Sequence, residues 1–455
     1  MVCEQRAWYH AARIPRIPLR VALRWAGARP RPGGSLTGRL AIPTSAAAAR
    51  GSLRRDVRII GLVGAAHFVS HFFQLALPPL FPLLRDDFGV TYVQLGLLMS
   101  LFYAASGIGQ TASGFLVDHF GARRVLPSGM ALLAFAMALA GLAPSYWALV
   151  AVALVGGLGN SVFHPADYSI FNASVSPTRL GRAYGVHSIC GNLGWVLAPV
   201  VVVGLSAAFG WRAALLTVGG LGVAAALAVS TQGDVLDDRR ELAGLRSVPV
   251  GGWSASVKLL MTRPILIAFA YFALLATSQI GIQTFSVSAM VAIYEAPLGL
   301  ATGALTAFFV GSAAGILLGA FLADRTSRHD LLASGGMCVG ALASLAMASA
   351  VPPLAVLPVL MALAGFCLGA TTPARDMLVR AATPPGASGK VYGFVYSGLD
   401  LGSALTPLLF GWLLDKGEPR MVFVASAAFM LLTIATVVQV HRQAAPAGER
   451  VPAHR

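Results

Sequence analysis

Six ionisable side chains fall inside apolar stretches of this sequence: His67, His71, His164, Asp167, His187 and Asp400. Such groups are costly in hydrocarbon unless they face a polar cavity or one another. His67 and His71 are separated by one helical turn and share a helix face. With Arg58 at the inner edge, His71 lies about 20 Å along the helix at a rise of 1.5 Å per residue, slightly beyond mid-membrane. Imidazole changes charge near neutral pH, so His71 and His67 are candidates for exchanging a proton, and Asp400 joins them as a carboxyl near the middle of its span. The competing reading is structural, with histidines satisfied by neighbouring hydroxyls or carbonyls and holding helices together. A metal site would need a third ligand beside the His67/His71 pair, and spacing supplies none, so neither a metal nor a cofactor is expected. The lack of a nucleophile or metal cluster also argues against an intramembrane enzyme.

Composition dictates the elements that position these groups. The chain is 56% hydrophobic and 11% charged, with a mean hydropathy of +0.73, whereas soluble proteins carry roughly 25% charged residues. A bilayer crossing takes about 20 apolar residues. Twelve crossings are expected: 59–83, 93–117, 124–143, 146–171, 183–208 and 212–231, then 264–290, 300–323, 331–350, 353–374, 390–414 and 419–440. The expected fold is an all-α membrane protein, with twelve transmembrane helices in two pseudo-symmetric six-helix bundles. Its parts are a basic head over 1–58, a bundle over 59–231, a central loop over 232–263, a bundle over 264–440 and a tail over 441–455.

The head holds twelve arginines against Glu4 and Asp56, which supplies +10 of the net charge of +15. It has no apolar core of signal-peptide length. It reads as a poorly ordered cytoplasmic segment touching anionic lipid. Without aromatic interleaving or a binding motif, nucleic acid is not an expected partner. Basic residues recur on alternate loops: Arg123 and Arg124, Arg179 and Arg182, then Arg239, Arg240, Arg246, Lys258 and Arg263. Arg325 and Arg328, then Arg375, Arg380 and Lys390, continue the pattern. This asymmetry puts both termini in the cytoplasm, with the chain in the cell inner membrane. Within the central loop, Trp253 to Leu260 is a short amphipathic candidate for the membrane interface. Cys3, Cys190, Cys338 and Cys367 form no CxxC pair, and the three in apolar segments, Cys190, Cys338 and Cys367, read as buried thiols.

The second half repeats the first. Pro165, Gly185, Gly194, Pro199 and Arg212 return 208 positions later as Pro373, Gly393, Gly402, Pro407 and Arg420. Asp118 returns as Asp324 at a spacing of 206. A period this long fits two homologous bundles with a working site at their interface, which is a transporter's architecture. Small residues recur every fourth position, as Ala105, Gly109 and Ser113, then Gly311, Gly315 and Gly319. These place one close-packing face on each helix. The halves differ at polar positions: His187 is matched by Val395, Asn192 by Asp400, and Asp167 by Arg375. The mismatches mark where substrate and proton would be handled.

The stretch Gly114-Phe-Leu-Val-Asp118-His-Phe-Gly121-Ala-Arg123-Arg124 resembles the signature loop of the major facilitator superfamily, and Gly319 to Asp324 and Arg325 form a degenerate copy. The resemblance implies that Asp118 and its arginines latch the outward-facing state, through charge-assisted bonds or a helix N-terminus. Three further stretches resemble the fosmidomycin-resistance-like transporters: His67-Phe-Val-Ser-His71, Val155 through Phe163-His164-Pro165, and Gly191-Asn192-Leu-Gly194. Resemblance to the superfamily implies a cavity lined by the first, fourth, fifth, seventh, tenth and eleventh spans. Its candidate residues are His71, Asn192, His187, Gln279, Gln283, Tyr392, Tyr396, His164 and Arg375. Resemblance to the resistance-like transporters implies a monomer in lipid that exports a small drug-like or metabolite molecule against protons. The same machinery could import a small organic acid with protons, using Arg375 or a histidine as counter-charge. A non-transporting sensor is a third reading. No GxxxxGK[ST] loop appears, so ATP is not the expected energy source.

Overall fold

The computed structural model describes residues 46–176, 178–236, 253–323, 325–326, 328–382 and 388–444. Asp324, and the side chains of Asp118, Arg375 and Tyr392, lie outside the described residues. The first bundle comprises α1 (Ala46–Gln74), α2 (Phe81–Phe88), α3 (Tyr92–Phe120), α4 (Ala122–Gly141), α5 (Tyr146–Asn160), α6 (Phe163–Ser174), α7 (Leu180–Phe209) and α8 (Trp211–Ser230). After the short α9 (Trp253–Leu260), the second bundle comprises α10 (Arg263–Tyr294), α11 (Leu298–Ala323), α12 (His329–Ala348), α13 (Leu357–Ala382), α14 (Ser388–Asp415) and α15 (Met421–Ala444). Among the described residues, eleven segments are long and apolar enough to cross a membrane, and Met421–Val437 supplies a shorter apolar run in the twelfth. The expected amphipathic segment of the central loop is the helix α9.

Two crossings are built from paired helices, and proline explains both. α1 ends before Pro78 and Pro79, which sit in a 3-10 turn ahead of α2. In the fourth crossing, Pro165 has no N–H to give the Ser161 carbonyl and its ring would crowd that group. The helix breaks there, between Asn160 and Phe163. The equivalent Pro373 leaves α13 unbroken, so the two halves part company at this repeat position.

The first crossing starts earlier than its hydropathy suggested, because α1 begins at Ala46 inside the expected head. Its base is tied down by polar contacts. Asp56 is buried and accepts from Arg179 Nε at 2.6 Å and from the Ser176 amide at 3.3 Å. Arg58 Nε donates to Gln232 Oε1 at 2.9 Å, just beyond α8.

The small-residue faces pack within each bundle rather than across the gap between them. Gly109 faces the Ser161 side chain, and Ser113 and Ser161 share a hydrogen bond of 2.8 Å. On the other side, Gly311, Gly315 and Gly319 of α11 lie against the backbone carbonyls of Ala362, Phe366 and Ala370 on α13. Gly365 and Gly369 return the contact against Phe308 and Ser312. Neither helix has room for a Cβ here. Gly365→Val should therefore destabilise the second bundle by ~1–3 kcal/mol, the usual cost of overpacking. A thermal melt of the purified variant reads this, and an unchanged midpoint would contradict the packing.

The bundles meet along two helix pairs, α3 with α14 and α7 with α11. The first pair closes the face opposite the termini. Thr91 caps α3 in a reciprocal box with Gln94. The first two amides of α3, from Tyr92 and Val93, then donate to the Asp415 carboxylate at 2.7 and 2.8 Å. Below this, Gly96 meets the Pro407 carbonyl and Gly411 meets that of Tyr92. A Cβ on Gly107 would stand 3.3 Å from the Asp400 Cβ. The contact thus runs about 22 Å along both helices, at 1.5 Å per residue.

Candidate functional site

The first bundle gathers four histidines around one carboxylate. α1 offers His67 and His71 on one face, and α6 offers His164 and Asp167 at a spacing that also shares a face. α7 brings His187, with Gly191 and Gly194 following on the same side. A Cβ on Gly191 would come within 2.7 Å of His71 Nδ1 and 2.8 Å of His67 Cδ2. Gly194 likewise meets the backbone of Phe68 and Phe72. These glycines are what let α7 approach α1 closely enough for the rings to touch.

Asp167 is fully buried. Its Oδ2 lies 2.8 Å from His187 Nε2 and 3.5 Å from His67 Nδ1. The His67 ring stacks on His187 with centroids 3.5 Å apart and planes at 21°. His71 and His164 flank His67 at 4.2 and 5.4 Å. Within this cluster Asp167 Oδ1, His67 Nδ1 and His71 Nδ1 are buried and make no hydrogen bond. Buried polar atoms of this kind call for an explanation, since they are normally paired.

The cluster connects outward through Trp195. His71 stacks on its indole at 4.1 Å and 22°. The indole in turn lies 5.6 Å from the Phe309 ring on α11, in the second bundle. A second polar group sits nearby in the same bundle. Asn160 accepts from Ser70 at 2.7 Å and Gln74 at 3.3 Å, and donates to Ser106 at 2.9 Å. It ties α1, α3 and α5 together.

The remaining candidates are spread more widely. Asp400 is exposed on α14 and packs against Gly107 of the first bundle. Asn192 donates to the Ser188 carbonyl of its own helix at 2.9 Å. Gln283 is buried and Gln279 half-buried on α10. The Tyr396 ring lies 4.8 Å from Phe272. His187 is drawn into the interior of the first bundle rather than towards the second. In the signature loop, Gly121 has a φ of 83°, a backbone conformation that glycine tolerates best. It turns the chain so that Arg123 and Arg124 begin α4. Gly114 has open space where a Cβ would sit. Arg325 lies over the Phe321 ring at 3.6 Å. Cys338 is exposed, contrary to the expectation of buried thiols, while Cys190 and Cys367 are half-buried.

A family model described as Major Facilitator Superfamily matches residues 63–304 and 275–454. The chain belongs to this superfamily. Among curated relatives, the fosmidomycin resistance protein of Escherichia coli is 30% identical over 165 residues, covering 36% of this chain and 40% of that protein. The probable sulfoacetate transporter SauU of Cupriavidus necator is 30% identical over 161 residues, covering 35% and 37%. Each match therefore spans well under half of the relative's length. A bacterial homologue of the human lysosomal transporter Spinster, solved in an inward-facing and occupied conformation, superposes with a TM-score of 0.67 at 17% identity. That alignment covers 85% of this chain and 97% of the other. As a superfamily member the chain is a multi-pass membrane protein, all-helical as its hydropathy pattern implied.

Sequence reasoning named the four histidines but not Asp167 as the partner of His187 and His67. The signal was present in the His164-Pro165-Ala-Asp167 spacing, which places His164 and Asp167 on one helical face. Asn160 carried no such signal, being one amide between small residues.

Proposed function

We propose that the chain is a secondary active transporter, moving a small drug-like or metabolite molecule across the cell inner membrane by alternating access. Export in exchange for protons is the reading we favour, with both termini cytoplasmic. The observation that carries it is Asp400, an exposed carboxyl on α14 at mid-helix that lies against Gly107 of the other bundle. An ionisable side chain at this depth and between two moving bodies is poised to exchange a proton as they separate. Closure at Tyr92 and Asp415 supports an inward-facing state, with the substrate space opening towards the termini. Similarity to a resistance protein supports export.

A second reading is proton-symport import of a small organic acid, favoured by the similarity to a sulfoacetate transporter. Sealed vesicles containing the chain separate the two when a candidate compound is added down its gradient. Antiport alkalinises the compartment that receives the compound, and symport acidifies it. A compound that crosses with no proton movement in either direction would overturn proton coupling altogether.

A further inference from the structure

We propose that His67, His164, His187 and Asp167 form a binding site for one divalent transition-metal ion of the zinc type, resident in the first bundle. Ligand atoms of the three imidazoles all lie within 4.8 Å of one another. Asp167 Oδ2 is 2.8 Å from His187 Nε2 and 3.5 Å from His67 Nδ1. A tetrahedral ion with bonds of about 2.0–2.1 Å holds its ligand atoms roughly 3.3 Å apart. The carboxylate edges to His187 and His67 are already near that separation, and the longest imidazole edge needs to shorten by roughly 1.5 Å to reach it.

Three observations support an ion here over a purely structural stack. Three nitrogen donors and one carboxylate oxygen are a donor set that suits zinc and its neighbours in the transition series. Asp167 Oδ1 and His67 Nδ1 are buried without a hydrogen bond, and coordination would employ groups of this kind. His164 keeps an accessible surface while Asp167, His67 and His187 are buried, which gives the ion one side from which to enter.

The ligands come from α1, α6 and α7, all within one bundle. Rocking of one bundle against the other would leave all four together. A transported ion has to be released by that motion, so this ion is a brace and not the cargo. It would pin α6, the piece beyond the break at Ser161, to the helices beside it. His71, which stacks on Trp195, stands next to the site without being needed for it.

The test uses the full-length chain, purified through a histidine-free tag, stripped with chelator and titrated with Co2+. The expected result is one ion per chain with the strong visible absorption of tetrahedral cobalt, bleached by Zn2+. His164→Gln and His187→Gln should each weaken binding by about tenfold or more, and His119→Gln, outside the cluster, should leave it unchanged. X-ray absorption of the zinc-loaded wild type counts imidazole ligands without any variant. No tetrahedral band, cluster variants that bind as tightly as wild type, or a zinc spectrum lacking imidazole would each overturn the proposal. None of these readouts needs substrate or a proton gradient, so they stand apart from the transport reading.

Discussion

Asp400→Asn is expected to abolish proton-driven accumulation while leaving a folded protein in the membrane. The amide keeps the shape that packs on Gly107 but cannot take up or release a proton. What is lost is the free energy linking proton and substrate, typically ~1–3 kcal/mol, or about 5- to 150-fold in the gradient sustained. Exchange of labelled compound across vesicles without a pH gradient should continue, because rocking does not itself require the charge. The pairing of these two assays is what gives the test its force. Loss of both would indicate that Asp400 holds substrate or structure. Retention of both would move the coupling site elsewhere.

The second large effect is conformational. Asp415→Ala removes both acceptors from the α3 N-terminus, where the Tyr92 and Val93 amides now bond to the carboxylate at 2.7 and 2.8 Å. Hydrogen bonds to a charged group contribute about 1.5–3 kcal/mol when well shielded, and the helix dipole adds a few tenths. Because Asp415 is partly exposed, a combined loss of about 2 kcal/mol is reasonable, or roughly thirtyfold in a two-state balance. Spin labels at the exposed Asp86 and Glu418, one in each bundle, would report this as a larger fraction of long distances. An unchanged distance distribution would mean that the packing of Gly96 and Gly411, and not the carboxylate, holds this face shut.

Much of the architecture was legible because its signals are one-dimensional. The 208-residue repeat announced two bundles, and apolar runs marked the crossings, although α1 begins at Ala46, well ahead of the expected 59. The stripes of small residues announced two tightly packed faces, and Gly311, Gly315 and Gly319 indeed lie on backbone carbonyls. Other features depend on how helices rotate about their axes, which a lone sequence does not encode. His67 and His71 could be placed on one face, but nothing said that α6 and α7 would turn His164, Asp167 and His187 towards them. The absence of a third metal ligand was for that reason a statement about spacing along the chain, not about space. The break ahead of Pro165 belongs between these cases. Proline signalled it, yet the matching Pro373 left its helix whole, so local chemistry alone did not decide the outcome.

The contact that closes the face opposite the termini has a consequence for how this protein can drift in evolution. One partner is a side chain, but the other is the start of a helix, and every residue except proline brings an amide to that place. The two hydrogen bonds therefore survive any change at positions 92 and 93 except to proline, and keeping them calls for no compensating change at position 415. Homologues could preserve this gate while showing no paired substitutions across it. A comparison that searches for co-varying residues would pass over it, and a single proline at position 92 or 93 would reveal it.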